Sequence, residues 1–543
     1  EMTLIHLQRT AGPAAVSEAG QATAQLAKLY QSEQRTALAA DQFRLLATRF
    51  AEIRVDGELT GRQVAEQMAL AGTLPSTRSL SEWPHGQVRV NVKANPRRGS
   101  AYKLTVVSLR ESVGNWGTDK LINYDANNQR IELLDEFGQP ESSISLEKNA
   151  LSGAVSFHAK SFGHLLVLSL ADRIVAIDTL GDRSGGANTV LWEIPLEEAA
   201  NSMQMRLQRV PKVVRNPWEW EDMLTTTTDG TLVGELGAVA ARGICFQKQR
   251  MLMCVDPLTG EVLWNRRDVE AGSTLFGDDE RLFLVEPRQN EARVFRMVDG
   301  VELESRSLPD ERQRWAFRGG RVLTWDGEYY RRQPLRLKMV DVWTGQELWN
   351  FDVEGNAKGD LMGTDELGVL QPNGKFVVLN LEDGSAVIQT QVEPEPDLLH
   401  IQCLRSRDQY LLLTDRERKN QAGENVMTRA SYPKQFGVDR FLTGNVYALD
   451  RTTGELSWSR PANIDGYYFP SKQPVGMPVL FFYRMRSERR PTSRGTTNHT
   501  DILVLDRRNG QLLLQDSQPK RFQRVDELKA EPADDSVVLQ LYG

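Results

Sequence analysis

The chain has 543 residues, a net charge of −7 and a pI near 5.7, a balance that argues against a nucleic-acid-binding protein. Mean hydropathy is −0.44, and no apolar run approaches the roughly 18–20 residues that a membrane-spanning helix needs. The three cysteines, Cys245, Cys254 and Cys403, are too few for a disulfide framework.

The opening EMTLIHLQRT lacks the charged start, apolar segment and cleavage site of a signal peptide, so none is expected there, which leaves the compartment open. Residues 1–73 are expected to form an α-helical segment, with the helical pattern running over 14–70. Ser17 suits an N-cap, and Leu26, Leu29, Leu38, Leu45, Leu46 and Phe50 supply apolar positions among good helix formers. Asp56-Gly57 breaks the run before a shorter helix at Thr60–Ala71. Helices this short do not make a core alone; they suit either packing on the rest of the chain or the end of a longer helical repeat region. Residues 74–86, with Pro75, Pro84 and several serines, read as a linker.

From residue 87 to 543 the pattern is β. Val88–Val92, Tyr102–Leu109, Leu121–Tyr124, Arg130–Leu134 and Ser143–Leu146 read as strands of a first blade-like unit, and HLLVLSL, RIVAIDTLG and VLWEIPL as a second. An insertion near 195–234 follows, whose first part, LEEAANSMQMRLQRV, favours helix.

A repeat then becomes explicit. CVDPLTGEVLW ends at Trp264, MVDVWTGQELW at Trp349 and ALDRTTGELSW at Trp458, each with Asp four residues before Gly and Trp four after it. The three sets are Asp256, Gly260 and Trp264; Asp341, Gly345 and Trp349; Asp450, Gly454 and Trp458. Weaker copies centre on Gly300, Gly384 and Gly510, so the glycines are separated by 40, 45, 39, 70 and 56 residues. Periods of about 40–50 signal propellers or solenoid arrays. The Asp stops an apolar strand by hydrogen-bonding the turn, and the Gly provides a left-handed residue that starts the return strand. A Trp at a fixed offset is expected to bury against the neighbouring blade. These units end near Val269, Leu308, Val353, Val392, Pro461 and Asp516. A last strand, 535–542, has no downstream partner and is expected to complete the first blade, since ring closure removes an open edge.

Asp-x-x-Thr-Gly-x-x-x-Trp resembles the tryptophan-docking motif of the pyrroloquinoline quinone (PQQ) dehydrogenase-like and BamB-like β-propellers, over roughly residues 85–543. The resemblance implies an all-β, eight-bladed PQQ-like propeller preceded by the short helical segment, or seven blades if 88–146 form a separate cap. It also implies one of two functions: a non-catalytic scaffold that binds a protein partner, with the periplasm or bacterial cell envelope as its setting, or a PQQ- and calcium-dependent quinoprotein oxidoreductase. A WD-repeat adaptor fits less well, because Trp follows Gly by four residues and Trp325-Asp326 lies outside the repeat ends.

The residues favour the scaffold. A quinoprotein needs a carboxylate base over the quinone and hard oxygen ligands for Ca²⁺, and the resemblance adds an adjacent Cys-Cys pair that this chain lacks. The repeat aspartates read as turn residues, not catalytic ones. The six histidines, 6, 85, 158, 164, 400 and 499, form no ligand spacing, and Arg318-Gly319-Gly320 lacks the Lys-Ser/Thr of a phosphate loop. No catalytic, metal or cofactor residue is assigned. Cys245 and Cys254 would lie opposite one another if a turn centres on Gln249-Arg250; both a bond and two buried thiols remain open, with thiols the simpler reading.

Three insertions fall between the second and third strands of their blades, on the face opposite the Asp-to-Gly hairpins: 326–338, 415–440 and 484–501. They carry net charges of +2, +2 and +3 in a chain of −7. The candidate partner-binding residues are Tyr329, Tyr330, Arg331, Arg332, Arg418, Arg486, Arg489 and Arg490, with Tyr432 and Phe436 as further aromatics. Such a composition suits an acidic protein segment, a polyanion or an anionic envelope surface, with a protein partner the expectation. Arg451 and Arg507, in turns of the opposite face, are expected to matter less. No cofactor, nucleic acid or transmembrane segment enters this reading, and the oligomeric state is left open.

Overall fold

The computed structural model describes residues 1–10, 15–33, 36–70, 86–95, 104–113, 121–125, 128–135, 137–146, 158–170, 173–179, 189–196, 208–211, 223–226, 234–327, 333–363, 365–395, 397–406, 408–416, 440–470, 473–474, 476–489, 496–518 and 524–542. The linker expected at 74–86 lies almost wholly outside them.

Four helices come first: α1 Met2–Thr10, α2 Val16–Ser32, α3 Thr36–Thr48 and α4 Gly61–Leu70. A two-stranded ribbon, Arg54–Asp56 with Leu59–Thr60, turns where Asp56-Gly57 breaks the helical pattern. Two expectations are corrected. Helix α1 precedes the helical run read from residue 14, and Ser17 lies inside the first turn of α2, whose N-cap is Ala15 with no side-chain cap. The helices do not stand apart from the β structure. Leu26, Tyr30, Phe43, Leu46 and Phe50 share one core with Phe162, Leu165, Ile174 and Trp192. Polar contacts fix the register of α1. The Tyr30 hydroxyl donates to Glu1 Oε1 at 2.8 Å, Glu1 Oε2 lies 2.9 Å from His164 Nδ1, and His6 Nδ1 lies 2.9 Å from Asp279 Oδ2. Since His164 and Asp279 sit in first-to-second strand turns of two different sheets, α1 lies across the end of the propeller that carries those turns.

The β structure is a propeller. Four antiparallel four-stranded sheets follow in chain order, 234–266, 274–307, 314–353 and 358–391. On either side of them the hairpin groups merge. Strand Leu104–Val113 pairs antiparallel with Leu121–Asp125 through its first half and parallel with His158–Phe162 through its second, giving one eight-stranded sheet. A single pairing, Tyr468 with Tyr483, joins strands from 398–469 and 479–518 into a seven-stranded sheet. With the three-stranded sheet of Arg89–Asn95, Ser536–Tyr542 and Arg524–Glu531, the described residues make seven blades when continuous sheets of three or more strands are counted. Seven was the alternative count, there tied to a separate cap at 88–146; here two fusions take eight hairpin groups to six sheets, and the three-stranded sheet is the seventh.

Closure differs in detail from expectation. The C-terminal strand Ser536–Tyr542 does pair with N-terminal residues, Arg89–Asn95, but in parallel, and its other neighbour is Arg524–Glu531. Leu121–Asp125 takes its inner partner from residues 104–107 instead. In the insertion, Gln208–Pro211 is a strand paired with Met223–Thr226, so at least this end of LEEAANSMQMRLQRV is extended where helix was expected. Tertiary pairing overrides propensity there. The fourth strand of 398–469 is Ala462–Phe469, beyond the unit end expected at Pro461.

The blade interiors are built mainly of buried apolar side chains. Cys245 and Cys254 are directly opposite on neighbouring strands, yet both are free and buried, with the Met297 sulfur 3.4 Å from Cys245 Sγ. Burial pushes the Cys245 thiol well above its usual range.

Candidate functional site

Each anchor hairpin is built from its own residues. Asp256 Oδ1 accepts the backbone N–H groups of Leu258 and Thr259, both at 2.9 Å, and Asp450 Oδ1 accepts those of Thr452 and Thr453 at 2.8 Å. Asp341 Oδ1 accepts from the Thr344 N–H at 2.7 Å and its hydroxyl at 2.8 Å. Those donors at Thr453 and Thr452 hold the Asp450 carboxyl below the usual carboxylate range. The glycines close the turns at φ +72° (Gly260), +69° (Gly345) and +74° (Gly454), a conformation that disfavours any side chain.

The tryptophans reach sideways, from one anchor hairpin to the next. Trp264 Nε1–H donates to the Met297 carbonyl at 2.8 Å, Trp349 to Leu381 at 3.0 Å and Trp458 to Arg507 at 2.8 Å. All three acceptors lie three residues before the anchor glycine of the following repeat. A Cβ built on Gly300 would come within 2.5 Å of the Trp264 ring, one on Gly384 within 2.7 Å of Trp349 and one on Gly510 within 2.6 Å of Trp458. The bare glycine therefore lets the indole lie against the backbone of the neighbouring turn, and all three tryptophans are buried. A fourth member was missed in the sequence. Trp192 donates to Pro257 at 3.0 Å and packs on Gly260, but the long connection between Asp178 and Thr189 breaks the four-residue offset that identified the others.

Two seams are built otherwise. Gly454 faces Ile388 instead of an indole. At Gly345 a Cβ would meet nothing within 4 Å, because the preceding blade offers Glu304 four residues after Gly300. There Arg306 crosses the seam: its Nε donates to the Trp343 carbonyl at 2.8 Å, and the Trp343 ring is faced by the guanidiniums of Arg306 at 4.0 Å and Arg281 at 4.5 Å.

On the opposite end of the sheets, the second-to-third strand connections leave from strands Arg321–Asp326, Gln409–Arg416 and Val479–Arg489. Tyr329, Tyr330, Arg331, Arg332, Arg418, Arg490, Tyr432 and Phe436 lie outside the described residues. Arg486 and Arg489 are described in backbone, and they correct the reading of 484–501 as a loop: Val479–Arg489 and Thr496–Asp506 form a long hairpin that places Arg486 opposite His499 and Arg489 opposite Thr496. Likewise Arg336 and Lys338 belong to strand Leu335–Asp341. Some of the basic charge is compensated at the strand ends, where Lys338 pairs with Asp326, and Arg484 with Asp501 at 3.0 Å. Arg507 and Arg451, on the anchor side, are structural: Arg507 is 1% exposed, and Arg451 Nη2 lies 3.4 Å from Glu366 Oε1 while its guanidinium faces Tyr410.

The profile of the family described as outer membrane protein assembly factor BamB matches residues 189–398 and 307–465, together a little more than half of the chain. The chain belongs to this BamB-like, PQQ-repeat propeller family. No match is found among curated proteins. Solved structures similar to the chain include BamB from Moraxella catarrhalis, 12% identical over 57% of this chain and 82% of that one, with a TM-score of 0.30. Another is the dihydro-heme d1 dehydrogenase NirN in complex with DHE, 10% identical over 78% and 76%, with a TM-score of 0.32. A computationally designed protein, Ika8, is 14% identical over 55% and 89%, with a TM-score of 0.25.

The residues that the sequence singled out do not fit a quinone cofactor. The three repeat carboxylates are already engaged by their own turns, and the cysteines face each other across two strands inside a blade core.

Proposed function

We propose that the chain is a non-catalytic propeller scaffold that binds a protein partner in a bacterial cell envelope. The observation that carries this reading is the match over residues 189–465 to a family described as an outer membrane assembly factor. The anchor carboxylates support it, since Oδ1 of each holds its own hairpin. Within this reading the second-to-third strand connections, with Tyr329, Tyr330, Arg331, Arg332, Arg418, Arg486, Arg489 and Arg490, form a basic surface for an acidic partner segment.

The test uses the full chain as bait in an envelope extract, followed by kinetics with the captured partner. Reversing Arg486, Arg489 and Arg490 to Glu is expected to lower the association rate about tenfold or more at low salt, with the difference shrinking as the Debye length falls to ~8 Å near physiological ionic strength. Arg242, exposed in a turn of the anchor side, is the control, and Arg242→Glu should leave the rate unchanged. Equal losses from both faces, or no dependence on salt, would remove the basic loops from the interface.

A further inference from the structure

The last long hairpin leaves its sheet in a way that opens a strand edge. Val479–Arg489 pairs along its whole length with Thr496–Asp506, but its other neighbour, Ala462–Phe469, meets it at one pair only, Tyr468 with Tyr483. A bulge accounts for the divergence. Leu442 pairs with Tyr467 and Thr443 with Asp465, so the ladder passes over Gly466, which has φ +71°. An extra residue of this kind bends its strand and increases the twist, and 462–465 stay paired with 443–446 while 484–489 continue with 496–501. Arg484 marks the fork. Its Nη1 donates to the Asp465 carbonyl at 3.2 Å, a side-chain bond across the gap where a ladder would carry backbone bonds. Its Nη2 donates to Asp501 Oδ2 at 3.0 Å, and its guanidinium faces the Tyr467 ring at 4.6 Å. Beyond it, residues 485–489 have a ladder partner on one side only among the described residues, at 496–500.

From this geometry we infer that the edge at 485–489 takes an extended acidic segment of the partner as an added strand. The backbone sets the shape of the occupant, because a strand edge offers a row of N–H and C=O groups that another extended chain matches residue for residue. A two-stranded ribbon is marginal in water by itself, so a third strand also steadies the ribbon. Charge sets the sign. Residues 484–501 carry a net +3, and the edge strand itself holds Arg484, Arg486 and Arg489 against Glu488. The same edge of a second copy is therefore repelled and an acidic segment attracted.

That a partner exists rests on the scaffold reading; the open edge does not, so the test uses a free probe. A fluorescein-labelled peptide of alternating Glu and Val, six residues long, should bind the full chain saturably by anisotropy. N-methylation at every residue, which keeps the charge but removes the N–H donors, should weaken it at least about tenfold. In the free chain the amides of 485–489 that face away from 496–500 should exchange fast, and saturating peptide should slow them about fivefold or more. Reversing Arg486 and Arg489 to Glu should weaken the peptide about tenfold and favour its Lys-Val counterpart instead. No saturable binding, equal binding of the N-methylated peptide, or slowed exchange elsewhere than at 485–489 would overturn strand addition. So would amides at 485–489 already protected in the free chain, which would show the edge filled by the chain itself, or protected only as chain concentration rises, which would show a second copy. Failure of the peptide counts against strand addition alone, whereas failure of the full chain to capture a partner counts against the scaffold reading.

Discussion

Trp458 donates its indole N–H to the backbone oxygen of Arg507 at 2.8 Å, across 49 residues of sequence and from one anchor hairpin to the next. The acceptor residue is itself buried, its guanidinium reaching the Met477 carbonyl. One contact thus ties together a repeat's own return segment, the following turn and the segment that leads into the last long hairpin. The same arrangement at Trp264 and Trp349 makes the ring a chain of sideways attachments, each leaving no room for a Cβ on the glycine it meets.

Truncating these indoles should therefore be costly. Trp349→Ala and Trp458→Ala are each expected to lower stability by ~3–5 kcal/mol, the range for large aromatic truncations in a core. Urea unfolding measures the loss, and hydrogen exchange locates it: faster exchange should appear in the following repeat's turn, at 381–384 for Trp349 and at 507–510 for Trp458. A loss confined to the mutated strand would show that the indoles pack only within their own blade.

The parts of this fold legible in the sequence are those with a buried face and a short turn. Asp256, Gly260 and Trp264 could be recognised because a tight hairpin fixes their offsets, and the Asp must cap it. Trp192 escaped because the connection before it is long, although its contacts are the same. The hairpin through Arg486 and Arg489 escaped for another reason: its residues alternate little between apolar and polar, so no period of two marks them as strands. Nor can a local pattern show which hairpin groups will merge. The joining of sheets through Leu104–Val113 and through Tyr468 and Tyr483 rests on pairings that no local pattern marks; the two fusions take eight repeats to six sheets, and the sheet of Arg89–Asn95, Ser536–Tyr542 and Arg524–Glu531 makes the seventh. The uncovered Gly345 corresponds to Glu304 in place of Trp, a difference that becomes readable only once the other indoles are seen to reach forward to the next glycine.

Acid should loosen one inter-strand clamp. Arg293 donates to Glu302 Oε1 at 2.8 Å and to Asp268 Oδ2 at 2.8 Å, and these bonds hold both carboxyls below their usual range. Because the folded-state values are lowered, the stabilisation is fully present above the unfolded carboxylate range near pH 4 and is lost as pH falls through the folded values. The groups are partly exposed, so the effect is small and weakened by salt. Arg293→Ala should destabilise the protein at pH 7, and the gap to the native chain in urea midpoint should narrow below about pH 4. A gap that stays constant from pH 7 to pH 3 would mean that Arg293 acts through packing on Phe295, which its guanidinium faces at 5.2 Å, and not through charge.

Closure of the ring gives the last test. Strand Ser536–Tyr542 lies between Arg89–Asn95 and Arg524–Glu531, so it joins the two ends of the β region within one sheet. Its Val537 and Leu539 enter a core with Val88, Phe481 and Val504, so the last long hairpin also leans on it. Removing residues 536–543 takes away backbone partners on both sides and leaves two strand edges unpaired, a condition that propellers avoid by closing. Hydrogen exchange should accelerate first in 89–95 and 524–531, then in 479–484 through the lost core contacts. Residues 121–125 pair with 104–107 and 130–134, so their backbone bonds should be kept. If exchange instead rises mainly in 121–134 and stays protected in 89–95, the C-terminal strand pairs in solution with the first hairpin group and not with the strand at Arg89–Asn95.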